Sequence, residues 1–361
     1  MTIKVGILGA GAISGAHSKA ILGLPDIAKV VAVADLNLEL ATTLAAQHNA
    51  SAYSSLEEML KNSDLDVVTI CTPPNLHADQ AEVALAAGKH VMLEKPADTS
   101  VAAVDRIIAA AKAHNRLVGV ISQHRFDPSA LVVHSAIAAG RFGRLTRAAA
   151  QVRWWRSQEY FDAVPWRGSM AVSGGGALIS QSIHTLDLML WMLGEVQEVF
   201  AYSAILAHER IEVEDHLVAV LTFTSGALGV LEASIAAYPG LSARLEVSGD
   251  RGSAIIDSDE LEFFHAAQAG EQTGMYGAWG SQTNRAAAEL ESVGAIEAGS
   301  SPDPAKLSSA HQEQFKDFFA AILEQRPPTV TLLDARYALL VIEALHLSAA
   351  TGQPVPLRSG V

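Results

Sequence analysis

The sequence predicts an α/β protein of two domains: a doubly wound parallel sheet over residues 1–125 and an α+β domain with a mostly antiparallel sheet over 126–361. Three observations lead there. A chain of 361 residues is long for a single core. Up to about residue 125, short runs apolar on both faces alternate with stretches of helical spacing, the pattern of parallel strands covered on both sides. Beyond residues 140–143 the runs lengthen, alternate apolar with polar and are separated by turn residues, which is the pattern of an antiparallel sheet.

In chain order, the first strand is expected at 3–8, apolar apart from Lys4. Four more follow at 30–34, 67–71, 90–93 and 117–121. Helical spacing fills 38–48, 55–61, 78–87 and 101–115 between them. In the second domain a long helix is expected at 177–193. Strands are expected at 145–154, 196–207, 214–224, 227–236, 243–248 and 253–257. Ser225-Gly226, Pro239-Gly240 and the Gly-Asp-Arg-Gly run at 249–252 mark turns between them. Residues 266–308, rich in Ala, Gly, Ser and Glu without a period, read as loop or weak helix. Helices at 309–325 and 334–350 close the chain, separated by Arg326-Pro327-Pro328.

Composition narrows the function. With 25 Lys and Arg against 39 Asp and Glu, the net charge is −14, which repels nucleic acid and anionic lipid. The single cysteine, Cys71, ends an apolar run and reads as a small core hydrophobe rather than a reactive thiol. No signal-peptide pattern opens the sequence and no membrane-length apolar stretch occurs, so a soluble, cytoplasmic protein is expected.

Gly9 and Gly11 follow a strand and open a helix. Glycine permits the tight turn there, and a close approach of backbone to a pyrophosphate. The helix from about Ala12 and Ile13 offers its amides and positive dipole end to that anion. Ser14 replaces the third glycine of the fingerprint. Asp35 ends the second strand, 24 residues beyond Gly11, where a carboxylate can accept from the adenosine ribose hydroxyls and repel a 2′-phosphate. Leu36 and Asn37 follow it rather than an arginine, so NAD is favoured over NADP; the alternative for Asp35 is a cap on the next helix. Thr72, Pro73 and His77 lie in a loop at the carboxyl end of the third expected strand, with His77 readable as a simple helix-start residue. Glu94-Lys95-Pro96 ends the fourth expected strand, and Pro96 is a candidate for the cis isomer. A lysine beside the positive nicotinamide would lose its proton readily and could exchange it with a hydroxyl; equally, Lys95 reads as a solvated strand-end residue.

Taken together, residues 9–14, Asp35, residues 72–77, Glu94-Lys95-Pro96 and the run from Gly174-Gly175-Gly176 to Asp187 resemble the Gfo/Idh/MocA oxidoreductase family. The resemblance extends over nearly the whole chain, including residues 249–252 and 311–318. It implies an N-terminal Rossmann domain binding NAD, and a C-terminal domain whose open-faced sheet pairs copies into homodimers or homotetramers. It implies interconversion of a ring secondary alcohol and a ketone on a sugar, sugar acid or cyclitol. Lys95 matches the family's catalytic lysine and His184 the histidine facing the substrate hydroxyl. Many members carry an aspartate four residues before that histidine; Ser180 stands here, so the acid–base work is expected to fall on His184 and Lys95. Asp187 either orients the imidazole or sits in the domain interface.

The run from Arg153 to Gly168 combines Trp154, Trp155, Arg156, Tyr160, Trp166 and Arg167. Aromatic rings suit sugars and guanidinium groups suit a carboxylate or phosphate. In the family this stretch borders the substrate pocket, and it looks closest to members acting on sugar acids or nucleotide-linked uronic acids. Arg156, Tyr160 and Arg167, with Lys95, Ser180 and His184, are the expected substrate contacts; Trp154 and Trp155 fit packing equally well. No metal-binding spacing, phosphate-binding lysine loop or G-x-S-x-G elbow is present in the sequence. The competing readings are a glycoside hydrolase that uses NAD for a transient oxidation and a non-catalytic NAD-responsive binding protein.

Overall fold

In the computed structural model, which describes residues 2–268, 270–271, 275, 277, 283–293 and 308–357, the early apolar runs pair as a six-stranded parallel sheet. Its strands are β1 (Ile3–Leu8), β2 (Ala28–Ala34), β3 (Ser51–Tyr53), β4 (Val67–Ile70), β5 (His90–Leu93) and β6 (Val118–Val120), in the order β3-β2-β1-β4-β5-β6. All four residues of β4 are buried, and all of β1 except Lys4, as expected for a sheet covered on both faces. Strand order reverses between β1 and β4, and ligands of such sheets bind beyond the carboxyl ends at that reversal. The sequence pattern does not show β3, because Ser-Ala-Tyr is too short and polar to form an apolar run.

Two compact units result. The first comprises Met1–Gln123, Ala171–Gly174 and Ser301–Leu340; the second comprises His124–Met170, Gly175–Ser300 and Val341–Val361. Phe315, Phe318 and Phe319, on the helix Ser308–Glu324, are wholly buried in the core of the first unit with Val5, Ile7 and Ile21. A segment near the end of the chain thus completes the core laid down by its beginning.

The second unit carries an eight-stranded sheet. Its strands are β7 (Leu145–Arg153), β8 (Val196–Ala204), β9 (His216–Phe223), β10 (Leu228–Ser234), β11 (Ala243–Gly249), β12 (Gly252–Asp257), β13 (Glu260–Ala266) and β14 (Val355–Pro356). The order is β13-β12-β11-β7-β10-β9-β8-β14, antiparallel except between β7 and β10. Alternate residues such as Leu217, Ala219, Leu221 and Phe223 are buried, and the helix Ile183–Leu193 packs on β7 and β11. On the opposite face Val218, Val220, Leu228 and Val230 remain exposed, so the sheet is open-faced.

β13 and β14 are absent from the sequence-based expectation. The turn into β13 is Ser258-Asp259, both at positive φ, a hairpin signal weaker in sequence than Asn-Gly. β14 is only two residues long. The helix expected at 177–193 is divided: Leu178–Ser182 form a wide π turn before the α-helix Ile183–Leu193. A further helix, Pro128–Ala138, starts at a proline in the first turn, a signal the apolar periodicity does not bring out. Of the residues 266–308 read as loop or weak helix, Ala286–Ser292 form a helix, and 269, 272–274, 276, 278–282 and 294–307 lie outside the described residues. No described helix is long and apolar enough to cross a membrane.

Candidate active site

In the first unit the glycine loop is shaped by one contact and one gap. Gly9 has φ +91°, and a Cβ there would lie 2.8 Å from the backbone carbon of Cys71, so a side chain would force β1 and β4 apart. A Cβ on Gly11 would meet nothing within 4 Å, which leaves the space a pyrophosphate needs. The amides of Gly11, Ala12 and Ile13 donate to no protein acceptor among the described residues. The Ser14 hydroxyl donates to the Gly11 carbonyl at 2.6 Å and closes the first turn of the helix Ser14–Leu22. Asp35 accepts the Ala10 amide on Oδ2 and the Asn37 amide on Oδ1, both at 2.7 Å, tying the end of β2 to the glycine loop. Each oxygen keeps acceptor capacity for a ribose hydroxyl. The following helix is capped by Asn37, not Asp35. This loop therefore fits a dinucleotide with an unphosphorylated ribose. NAD is expected to be preferred over NADP by about tenfold or more, roughly 1.4 kcal/mol, and Asp35→Ser to narrow the gap. Steady-state kinetics with both cofactors decide it; equal efficiencies for the wild type would be the contrary result.

The loops after β4 and β5 are stitched together by His77 and Asp98. The His77 ring is wholly buried, with Nδ1 2.9 Å from the Pro96 carbonyl and Nε2 2.9 Å from the Thr72 carbonyl. Asp98 accepts the Ala78 amide at 2.9 Å. Thr72 donates its hydroxyl to Gln80 at 2.5 Å, and Pro73 directs the chain into the turn Pro74–Leu76. The Lys95–Pro96 peptide is cis, the isomer for which the sequence makes Pro96 a candidate.

Glu94 is an interior anchor for this segment. It is 5% exposed, with Oε1 2.7 Å from His17 Nε2 and Oε2 accepting the Lys95 amide at 3.0 Å. His17 is wholly buried and its other ring nitrogen lies 2.7 Å from the Thr69 hydroxyl. Burial disfavours both charges. Against it, His17 holds the Glu94 carboxyl below the ordinary carboxylate range, with His311 and Lys95 adding to the effect. The facing Cys71 sulfur and the Glu94 carboxylate hold the His17 imidazole above its ordinary range. Glu94 and His77 thus both tie down the loops at the carboxyl end of the sheet.

In the second unit Arg156, Tyr160 and Arg167 come together. The Arg167 guanidinium lies 4.1 Å from the Tyr160 ring centre, and that of Arg156 lies 5.6 Å from it and 5.2 Å from the Trp154 ring. Arg156 donates to Gln181 at 2.8 Å, and the Gln181 amide donates to the Tyr160 hydroxyl at 3.3 Å. The cluster is thereby joined to the π turn that carries Ser180. Neither guanidinium has a carboxylate partner among the described residues. Trp155 packs elsewhere, its ring 5.4 Å from that of Tyr238.

Glu214, unmarked in the sequence, anchors the start of this helix. Its carboxylate accepts the Gly176 and Leu178 amides at 3.0 Å each, and its carbonyl accepts the Ala177 amide at 2.8 Å. Burial opposes its ionised form, but His346 and the two amides hold its carboxyl below the ordinary range. The Ser180 hydroxyl donates to the Gly176 carbonyl at 2.6 Å. Asp187 forms a buried bidentate pair with Arg125 at 2.6 and 2.8 Å, an arrangement neither reading of the sequence included. His184 is half-buried, and its ring meets that of His124 edge to face at 5.0 Å. Lys95 and His184, the residues assigned to proton transfer, belong to different units.

His17, Glu94 and His311 form one group of metal-ligand type among the described residues, and His124, Asp127 and Asp259 form another. Each contains direct hydrogen bonds between its members. Sequence spacing reveals neither, because each joins distant segments.

Comparison with known proteins follows the same division. Residues 3–122 match the model of the oxidoreductase family with an NAD-binding Rossmann fold, and 131–255 match the GFO/IDH/MocA C-terminal domain. Inositol 2-dehydrogenase of Rhizobium meliloti is 32% identical over 269 residues, 72% of this chain and 76% of its own. Levoglucosan dehydrogenase of Pseudarthrobacter phenanthrenivorans is 27% identical over 96% of both chains. Among solved structures, WlbA dehydrogenase from Bordetella pertussis in complex with NADH and UDP-GlcNAcA is similar with a TM-score of 0.84 and 29% identity, over 99% of both chains.

Proposed function

The chain belongs to the Gfo/Idh/MocA oxidoreductase family as an NAD-dependent dehydrogenase, and on that premise we propose that it interconverts a ring secondary alcohol and a ketone on a sugar acid. The observation that carries the substrate class is the pair of guanidinium groups around Tyr160, without carboxylate partners among the described residues of a chain of net charge −14. Such a pair suits an anion attached to a ring. Likeness to a dehydrogenase solved with UDP-GlcNAcA supports that reading, while relatives named for inositol and levoglucosan keep neutral sugars and cyclitols in view.

Bound NAD supplies the hydride acceptor. The amides at Gly11, Ala12 and Ile13 hold its pyrophosphate, Asp35 its ribose, and Thr72 and Pro73 border it. Lys95 and His184 form the acid–base pair: one of them takes the single proton of the substrate hydroxyl as hydride leaves its carbon, and returns it in the reverse direction. Ser180 contributes a neutral substrate contact. The protein works in the cytoplasm as a homodimer or homotetramer. The open face of the second sheet supports that assembly: Val220 lies opposite Val230, Tyr202 opposite Val218, and all four are exposed.

A panel of sugar acids, sugars and cyclitols mixed with NAD, followed by absorbance of the reduced cofactor, tests the assignment. Net reduction with an acid and not with its neutral counterpart is the expected outcome; cleavage of a glycoside without net reduction would replace it. Arg156→Ala and Arg167→Ala are expected to raise KM about tenfold or more while changing kcat less, because a remote anchor binds ground and transition states alike. Normal KM values in both variants would return the run to a packing role.

A further inference from the structure

We infer that Gln181 is a specificity-determining residue: it turns the Tyr160 hydroxyl proton away from itself and so makes the cluster of Arg156, Tyr160 and Arg167 a site of hydrogen-bond donors alone, fitted to a ligand group that only accepts. The inference deepens the sugar-acid reading and rests on it for the identity of the ligand, whose ionised group is then a carboxylate. All four residues belong to the second unit. Gln181 lies in the π turn Leu178–Ser182, directly after Ser180, whose hydroxyl is spent on the Gly176 carbonyl at 2.6 Å. It is the Gln181 side chain that reaches from this turn to the cluster.

The direction of each bond follows from what each group can do. Arginine has donors and no acceptor, so the Gln181 amide must present Oε1 to Arg156, 2.8 Å away. Its Nε2 then faces the Tyr160 hydroxyl at 3.3 Å, and an amide nitrogen only donates. The phenol oxygen is therefore the acceptor, and its own proton points elsewhere. No acceptor among the described residues takes that proton.

The guanidinium groups are fixed by few bonds. Arg156 spends one N–H on the Trp155 carbonyl at 3.0 Å and one on Gln181, and stands over the Trp154 and Tyr160 rings. Arg167 spends one on the Tyr160 carbonyl at 3.1 Å and stands over the Tyr160 ring. A guanidinium carries five N–H donors, so most remain for a ligand. A carboxylate accepts from several of them and brings no proton of its own. A sugar hydroxyl brings a proton for which the cluster has no acceptor: Gln181 Oε1 and the Trp155 and Tyr160 carbonyls already hold the guanidinium groups.

The test is a calorimetric titration of the full-length protein with sulfate, a probe that only accepts, at saturating NAD so that the glycine loop is filled. Gln181→Glu keeps the shape and the bond to Arg156, but its second oxygen accepts the Tyr160 proton and its charge offsets one guanidinium. It is expected to weaken sulfate binding about tenfold or more, and to raise KM for a sugar acid by a similar factor with a smaller change in kcat. Gln181→Met removes both bonds and adds no charge, and about threefold is expected. A residue that merely props the cluster gives the reverse order, because Gln181→Met loses more contacts than Gln181→Glu. Tyr160→Phe deletes the donor itself, with about threefold expected, and carries the test should Gln181→Glu fail to fold. Sulfate affinity unchanged in Gln181→Glu or Tyr160→Phe, a larger loss in Gln181→Met than in Gln181→Glu, or no sulfate binding by the wild type overturns the inference. The two readings fail separately: sulfate losses in the expected order, in an enzyme that reduces NAD equally well with an acid and its neutral counterpart, would remove only the sugar-acid reading.

Discussion

Lys95→Ala and His184→Ala are each expected to lower kcat by roughly 100-fold or more, with NAD binding retained. The reason is proton inventory. As hydride leaves the substrate carbon its hydroxyl must lose a proton, and a positioned acid–base residue contributes about 10²–10⁴ to that step. Ser180 cannot substitute, since it has no carboxylate and its hydroxyl already donates to the Gly176 carbonyl at 2.6 Å. Ser180→Ala therefore costs only a neutral hydrogen bond, about 1 kcal/mol. Turnover measured under saturating substrate, with NAD affinity followed by fluorescence of the reduced form, separates chemistry from binding. If Ser180→Ala is as damaging as His184→Ala, or Lys95→Ala turns over near-normally, the division of roles is wrong.

Gly176→Ala strikes the same helix through the backbone. A Cβ there would lie 1.8 Å from the Glu214 carbonyl oxygen, which accepts the Ala177 amide, and the neighbouring contacts are also backbone. No rotamer can relieve the clash. Either the segment before β9 that carries Glu214 or the helix start must move, with loss of the amide bonds to the Glu214 carboxylate. The expected cost is about 3 kcal/mol, the upper range for overpacking. In a unit of this size that lowers the melting temperature by roughly 6–12 °C. Calorimetry of the variant measures it directly; an unchanged melting temperature would show that Glu214 does not hold the helix start. Because Ser180 and His184 follow on this helix, kcat should fall with stability, whereas the cofactor loop in the first unit should bind NAD as before.

Much of the cofactor half is legible in the amino-acid sequence, because it is written locally. Gly9, Gly11 and Asp35 belong to one strand–turn–helix–strand passage, where side-chain size and backbone freedom suffice to specify the turn. The parallel sheet is legible for a similar reason: strands buried on both faces leave continuous apolar runs. The open-faced sheet leaves the weaker two-residue alternation, and its members β13 and β14 do not stand out from it.

What only the tertiary structure decided are the partnerships between distant residues. His17 meets Glu94, Asp187 meets Arg125, Glu214 meets the amides that begin the His184 helix, and Asp259 meets His124 across 135 positions of sequence. Each is an isolated polar residue in sequence, with no period and no spacing to mark it. Its role exists only where burial removes water and leaves protein neighbours to satisfy it, so the sequence by itself determined the fold class, the cofactor and the family, while folding determined which side chains hold the segments carrying Lys95 and His184.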